Sequence, residues 1–302
     1  MASVADQSSV NKAPSPAPME VAVVRQSETP RRLKAIGLYV FLFVLVIIWL
    51  IPMFAALITS FRTMDDITVN GFWSIPEQFS LDNFSEAWSR AGVSDYLMNS
   101  FIITIPSLFF MLWLSSMSAY ALARFRFRLN YPIYFMFVAG TMLPFQILLL
   151  PVFRLVNELK IYDTYWALIG IHSAFQLGFC TFVLRNFMKS IPYEIFDAAK
   201  VDGASEFRQY WQIMLPLSLP AMAAVATLEF TWVFNDYLWA LILVSSDDLK
   251  PVTTGLANLQ GQYRTDWPVV TAGALLASVP TIVMFIFLQR YFIQGLTLGS
   301  NK

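Results

Sequence analysis

Six long apolar stretches constrain this chain more than any other feature. They lie near 35–61, 98–123, 131–153, 164–187, 219–244 and 270–293. Each can cross about 30 Å of hydrocarbon, which takes roughly 20 helical residues. Backbone polar groups in lipid find no water, so each stretch must satisfy its own as an α-helix. An outer-membrane barrel would instead show short alternating segments. The expected fold is therefore an all-α integral membrane protein with six transmembrane helices. Only 13% of residues are charged and 57% are hydrophobic, whereas soluble domains carry roughly 25% charge. A net charge of zero removes the basic field of a nucleic-acid binder. The single cysteine, Cys180, and the single histidine, His172, leave no disulfide framework and no thiolate or multi-histidine metal site.

Residues 1–33 are rich in Ser, Pro and Ala without periodicity and read as a disordered cytoplasmic tail. The apolar run that follows is too long for a signal-peptide core and lacks a small-residue cleavage site. The membrane domain is expected over 34–295, with a short cytoplasmic tail at 296–302. Basic residues set the orientation. Fourteen of the 20 lie in the N-terminal tail, after segments two and four, and at the C-terminus. The other loops hold only Arg62, Arg90, Arg154, Lys160, Lys250 and Arg264. Both termini and the loops after segments two and four are thus expected in the cytoplasm. Loops 62–97 and 245–269, with Trp73, Trp88 and Trp267, are expected outside.

Energy conversion is missing from the chain. No glycine is followed by lysine, so there is no P-loop to cradle a nucleotide triphosphate. Neither G-x-G-x-x-G nor H-E-x-x-H occurs. Transport driven by this chain would need another subunit or an ion gradient.

The loop between segments four and five, 188–218, is the most informative stretch. Pro192, Glu194 and Asp197 suit the start of a short helix, with carboxylates at its positive end. Ala198 and Ala199 are small enough for another backbone to approach. Asp202 and Gly203 are expected to break the helix, since glycine accepts the left-handed cap conformation. Ser205 can cap a second helix, expected to run to about Leu215 and to end at Pro216. The product is a helix–turn–helix elbow held by membrane spans on both sides.

This elbow resembles the signature of ABC importer permeases: E-A-A, three residues, G, nine residues, then I-x-L-P. Asp197, Ala198, Ala199, Gly203, Ile213, Leu215 and Pro216 fill the pattern at the family spacing. Asp197 replaces the usual Glu, and Phe196 stands where sugar permeases often have another Glu. Four further stretches are similar to carbohydrate permeases of the MalG type. They are Ala119 to Phe127, Met142 to Phe153, Phe234 to Leu241 and Gln289 to Lys302. Ser300 and Asn301 depart from the family's Ala-Val, and Lys160-Ile161 stand where it tends to have Gly-Leu.

The resemblance implies a type I importer permease without cofactor or ATPase site of its own. It would sit in a bacterial or archaeal inner membrane beside a MalF-type permease. Two copies of a cytosolic ATPase would dock on the two elbows, and an extracytoplasmic solute-binding protein would deliver a carbohydrate-type solute. Glu194, Asp197 and Asp202 would give polar docking, while Ala198, Ala199 and Gly203 would permit close packing. Gly295, Gly299 and Lys302 would form a second ATPase contact.

Acids inside a membrane are costly and point to a lined cavity or a buried partner. In segment five, Val225, Glu229, Trp232, Asp236 and Trp239 share one face by i+3/i+4 spacing, with Asn235 beside it. Carboxylates bind hydroxyls and Trp offers a flat surface, so this face suits a sugar pathway. Asn235 and Asp236 equally suit a tie between helices. His172 and Gln176 in segment four, and Gln146 in segment three, are further pathway candidates with an interhelical hydrogen bond as the simpler role. Arg124, Arg126 and Arg128 read as topology and lipid-headgroup residues. The expected function is a sugar importer's permease subunit. Glycerol-3-phosphate or a polyol derivative is the alternative solute, and an ion-coupled transporter or a membrane scaffold the alternative class.

Overall fold

A computed structural model of the chain describes residues 29–76, 79–259 and 265–297. The elements run α1 Thr29–Ser60, α2 Met64–Asn70, α3 Asp82–Ser89, α4 Val93–Arg124 and α5 Asn130–Thr141. After a 3-10 turn at Phe145–Leu148 come α6 Leu149–Glu158, α7 Tyr165–Phe175, α8 Leu177–Ser190, α9 Glu194–Val201 and α10 Glu206–Gln209. A π-turn at Tyr210–Met214 leads into α11 Leu215–Phe234, followed by α12 Leu238–Leu243, α13 Val252–Asn258 and α14 Trp267–Thr297. No strand occurs among the described residues. The chain divides into two compact units, at Ile51 and Pro52 within α1. Residues 1–28, most of the expected tail, lie outside the described residues, and 29–33 already belong to α1.

Four helices are long and apolar enough to span a membrane, and two bent pairs raise the possible number to six. The expected segment three is α5 and α6, bent by 94°. Pro144 lacks the donor a continuous helix needs and pushes Leu143 out of the helical region. Segment four is α7 and α8, bent by 41° beside Gly178. A Cβ on Gly178 would sit 2.7 Å from the Phe137 carbonyl oxygen, so glycine here lets α5 and α8 touch backbone to backbone. Segment five proves discontinuous, with a break at Asn235–Tyr237 between α11 and α12. The apolar side chains of α1 from Ile36 to Phe54 are exposed, as suits a surface solvated by lipid or by another apolar helix.

In the unit from Pro52 onward, α4 is the central post. It packs against α7, α8 and α11. Its buried Ser107, Ser115 and Ser116 keep that face thin, and small residues let membrane helices approach closely. One apolar cluster joins α4, α7, α8, α11 and α12 around Met111, Leu184, Met214 and Trp239. A second joins α3, α4, α11, α13 and α14 around Val93, Phe230 and Ala272.

Two polar ties fix the connections. Arg62 is fully buried and donates to Asp66 Oδ2 at 2.6 Å, Phe72 O at 2.9 Å, Gly71 O at 3.0 Å and Ser74 Oγ at 2.6 Å. The guanidinium, with Asn70, holds the Asp66 carboxyl below its usual value. Asp163 accepts from Ser245 N at 2.8 Å, from Ser246 N at 2.9 Å and from the Ser246 hydroxyl. It thereby joins the α6–α7 turn to the segment after α12.

Lys160, where the resembled family tends to have Gly, ends α6 at φ 56°. Lys160 N bonds Asn157 O at 3.0 Å and Ile161 N bonds Val156 O at 3.1 Å, the paired pattern of a left-handed helix cap. A side chain in that conformation costs about 1–2 kcal/mol, while Gly adds about 0.5–1 kcal/mol of unfolded-state entropy. Lys160→Gly is therefore expected to stabilise the protein by about 0.5–1 kcal/mol, seen as a raised melting temperature in detergent. A lowered melting temperature would show that the lysine side chain has compensating contacts.

Candidate functional site

Two regions collect the chemistry expected from the sequence: the elbow and a pair of cavities at the far end of α11. The elbow's first arm, α9, ends as expected. Gly203 has φ 78°, Gly203 N bonds Lys200 O and Ala204 N bonds Ala199 O, which closes the helix with a left-handed cap. Ser205 Oγ accepts from Arg208 N at 3.3 Å and starts the second arm. Lys200 Nζ bridges the arms to Glu206 Oε1 at 3.3 Å, a surface pair of small energetic weight.

The second arm departs from expectation. Pro216 does not end it; α10, the π-turn and α11 form one helical run, Glu206–Phe234. Pro216 cannot serve the Gln212 carbonyl, as an α-helix would require. The wider turn absorbs that fault, with Leu215 N bonded to Tyr210 O. At about 1.5 Å per residue, this run of 29 residues is roughly 40 Å long.

Glu194, Asp197 and Ala198 are exposed on α9, and Asp202 and Gly203 on the turn. Ala199 is buried in its own chain. Val201, 88% exposed, extends the face of Glu194, Asp197 and Ala198, and Phe207 is exposed on the second arm. Their apolar character inside a polar loop was visible in the sequence, at i+4 from Asp197 for Val201. Ile213 and Leu215 are half-buried and Pro216 is exposed. Gly295 lies in α14, while Gly299 and Lys302 fall outside the described residues.

Arg124 is not a headgroup residue. Its guanidinium lies 3.3 Å from the Phe196 ring centroid and 4.5 Å from that of Tyr193. Its Nε, Nη1 and Nη2 are all buried without a hydrogen-bond partner. Tyr193 also donates to Ala123 O at 3.3 Å. The end of α4 thus grips α9 through aromatic rings. Arg126 and Arg128 are exposed, as expected.

The cavities sit where two spans break. The larger, about 620 Å³, is lined among others by Phe145, Phe175, Trp232, Asn235, Asp236 and Trp239. The smaller, about 400 Å³, is lined among others by Pro144, Gln176, Phe179, Glu229 and Trp232. Phe145, Phe175, Leu228 and Trp232 border both. The expected single helical face does not exist, because α11 ends at Phe234. The larger cavity nonetheless gathers Trp232, Asn235, Asp236 and Trp239 on its walls. Asp236 accepts from Trp239 N at 3.4 Å and Ala240 N at 3.1 Å, so it starts α12 as a cap. His172 Nε2 lies 3.6 Å from Asp236 Oδ2. Asn235 Nδ2 donates to Thr231 O at 2.8 Å. Glu229 is 3% exposed and its Oε2 has no partner. Val225 is buried, and Gln146 is exposed and lines neither cavity.

The grip on α9 has a signed consequence. Two ring contacts return about 1–4 kcal/mol in a desolvated site, whereas buried donors without acceptors cost about 1–3 kcal/mol each. Arg124→Met is thus expected to leave the melting temperature in detergent unchanged or raised. Phe196→Ala, which empties a buried site, should destabilise by about 3 kcal/mol. A lower melting temperature for Arg124→Met would show that the cation is held by more than the two rings.

Comparison with known proteins places this geometry in context. Residues 111–297 match the family of binding-protein-dependent transport system inner membrane components. A putative ABC transporter permease, ORF2 of Caldicellulosiruptor sp., is 37% identical, covering 87% of this chain and 96% of that protein. The arabinooligosaccharides transport system permease AraQ of Halalkalibacterium halodurans is 35% identical, covering 83% and 90%. Among solved structures, a bacterial ABC transporter importing the acidic polysaccharide alginate superimposes with a TM-score of 0.76. It is 20% identical and covers 86% of this chain and 97% of its own; at that identity the likeness is one of fold. The chain belongs to the binding-protein-dependent transport system inner membrane component family and is a multi-pass permease component of an ABC importer in the cytoplasmic membrane.

Proposed function

We propose that this chain is one of two permease subunits of a sugar importer and that its elbow receives a cytosolic ATPase. The continuous run Glu206–Phe234 carries this reading. One end is the elbow's second arm, and the other is the wall of both cavities. The run is helical throughout, so a displacement of the elbow is carried along it to Glu229 and Trp232, through the π-turn and past Pro216 and Pro220. Arg124 and its two rings make α9 follow the end of α4 in the same movement. Docking energy that differs between two ATPase states would then favour one cavity arrangement over another.

The docking face has the chemistry such a partner needs. Glu194, Asp197 and Asp202 offer acceptors to cationic side chains. Ala198 admits close approach, and Val201 and Phe207 add apolar area. The second permease is of the MalF type, the binding protein delivers solute from the outer face, and both termini and the elbow face the cytoplasm. Aromatic platforms at Trp232, Trp239, Phe145 and Phe175, with Asn235, Asp236 and Glu229 between them, suit a sugar's apolar ring faces and hydroxyl rim. Relatives whose names include arabinooligosaccharide, alpha-glucoside and diacetylchitobiose transport support the same class.

Gentle solubilisation of the tagged protein from its own host should bring down a second permease and a P-loop ATPase in near-equal amounts. Gly203→Val is the sharper test. It places a β-branched residue at φ 78°, at a cost of about 1–2 kcal/mol. Uptake should be lost while membrane insertion persists. Normal uptake in that variant would remove the elbow from the coupling path. Purification alone, with uptake that collapses with the ion gradient while ATP remains, would favour a secondary transporter.

A further inference from the structure

We infer that the loop after α1 lies on the lipid surface, with Phe72, Trp73 and Ile75 set among the headgroups where that helix leaves the bilayer. The inference goes beyond the importer reading above and holds whatever the solute. The span Lys34–Ser60 has 27 residues, about 40 Å at 1.5 Å per residue, which is roughly the thickness of a bilayer with its polar layers. Its last residue, Ser60, therefore reaches the headgroup layer opposite Lys34. The loop is folded back onto that end. Arg62, two residues on and fully buried, donates to Gly71 O at 3.0 Å and to Phe72 O at 2.9 Å. Asn83 Nδ2 donates to Ser60 O and to Arg62 O, each at 2.8 Å, and Ser80 N donates to Phe61 O at 2.9 Å. The tip of the loop is thus held within one arginine side chain of the end of the span.

The side chains of that tip suit the headgroup layer. Trp73 is 75% exposed, Ile75 is 87% exposed, and Phe72 is exposed beside them. Residues 68–76 carry no charge. In water such a surface is unfavourable; at a membrane interface, where Trp rings collect, it is the expected composition. The backbone agrees with the side chains. A loop in water can leave its carbonyls to the solvent, whereas here a buried guanidinium collects Gly71 O and Phe72 O, and Asp66 balances its charge at 2.6 Å. Closing peptide groups internally is what a partly dehydrated layer demands. Leu57 and Ile58, in the last turn of α1, are exposed as well. Exposed apolar side chains therefore run from the end of a span into an uncharged tip. That continuity with a membrane helix, and the absence of any charge at 68–76 for a partner to pair with, favour lipid over a second protein as the occupant.

The test uses the whole transporter, purified with its partners from the host and placed in phosphatidylcholine nanodiscs. Trp73→Cys and Ile75→Cys are each labelled with the fluorophore bimane. Cys180 is fully buried, and labelling of the unsubstituted complex gives the background. Arg90→Cys, at an exposed charged position on the same connection, is the aqueous reference. The two quenchers are lipid brominated near the headgroup end of its chains and aqueous iodide. Labels at 73 and 75 should lose more emission to brominated lipid than to iodide, with the order reversed at 90. Greater loss to iodide at both tip positions would place the loop in water and overturn the inference. Protection from both quenchers would place a protein partner on the tip and overturn it equally.

Discussion

Hydrocarbon offers no partner to an open peptide group, and that constraint organises this chain. Regular helix is the default, and each departure must be buried, capped or placed against a cavity. The break at Met142–Pro144 and the break at Asn235–Tyr237 both border the cavities. At the second break Asp236 caps α12 while Thr253 donates its hydroxyl to the Asp236 carbonyl. At both breaks the irregular backbone borders a cavity, where a polar solute would supply hydrogen bonds. Asp236 is a cap that also stands on a cavity wall, so its structural duty does not exclude a place in the pathway.

The elbow solves a different problem. A short helix of eight residues, Glu194–Val201, has too few internal bonds to persist alone. It is held by buried Phe196 and Ala199 beneath it, by the Gly203 cap, and by the Arg124 grip. The face of Glu194, Asp197, Ala198 and Val201 stays exposed. A guanidinium buried among rings is a costly choice for stability alone. Its planar fit between Tyr193 and Phe196 matters for where α9 is held relative to α4.

Much of this was legible in the sequence because it depends on local rules. Apolar length gave the spans, and Asp202-Gly203 and Ser205 gave the turn and cap of the elbow. Long-range pairings were not legible. Nothing local pairs Arg124 with Phe196 across the α5–α8 hairpin, and a position after a membrane span naturally reads as headgroup chemistry. The straight face through Val225, Glu229, Trp232, Asp236 and Trp239 failed because periodicity cannot see a capped break. Trp232, Asp236 and Trp239 still line one cavity across the break. Pro216 misled for a related reason: a proline stops an α-helix, but a wider turn can carry it.

That wider turn also sets phase. A π-turn behaves as one residue inserted into an α-helix, and one residue corresponds to about 100° of rotation. Everything beyond Met214 is therefore indexed relative to the elbow by a single unit of chain. Were the turn to tighten to ordinary α-geometry, Glu229 and Trp232 would swing about a quarter of a revolution around the axis of α11. The position of Pro216 blocks that tightening, so the proline acts as the key that keeps elbow and cavity in register.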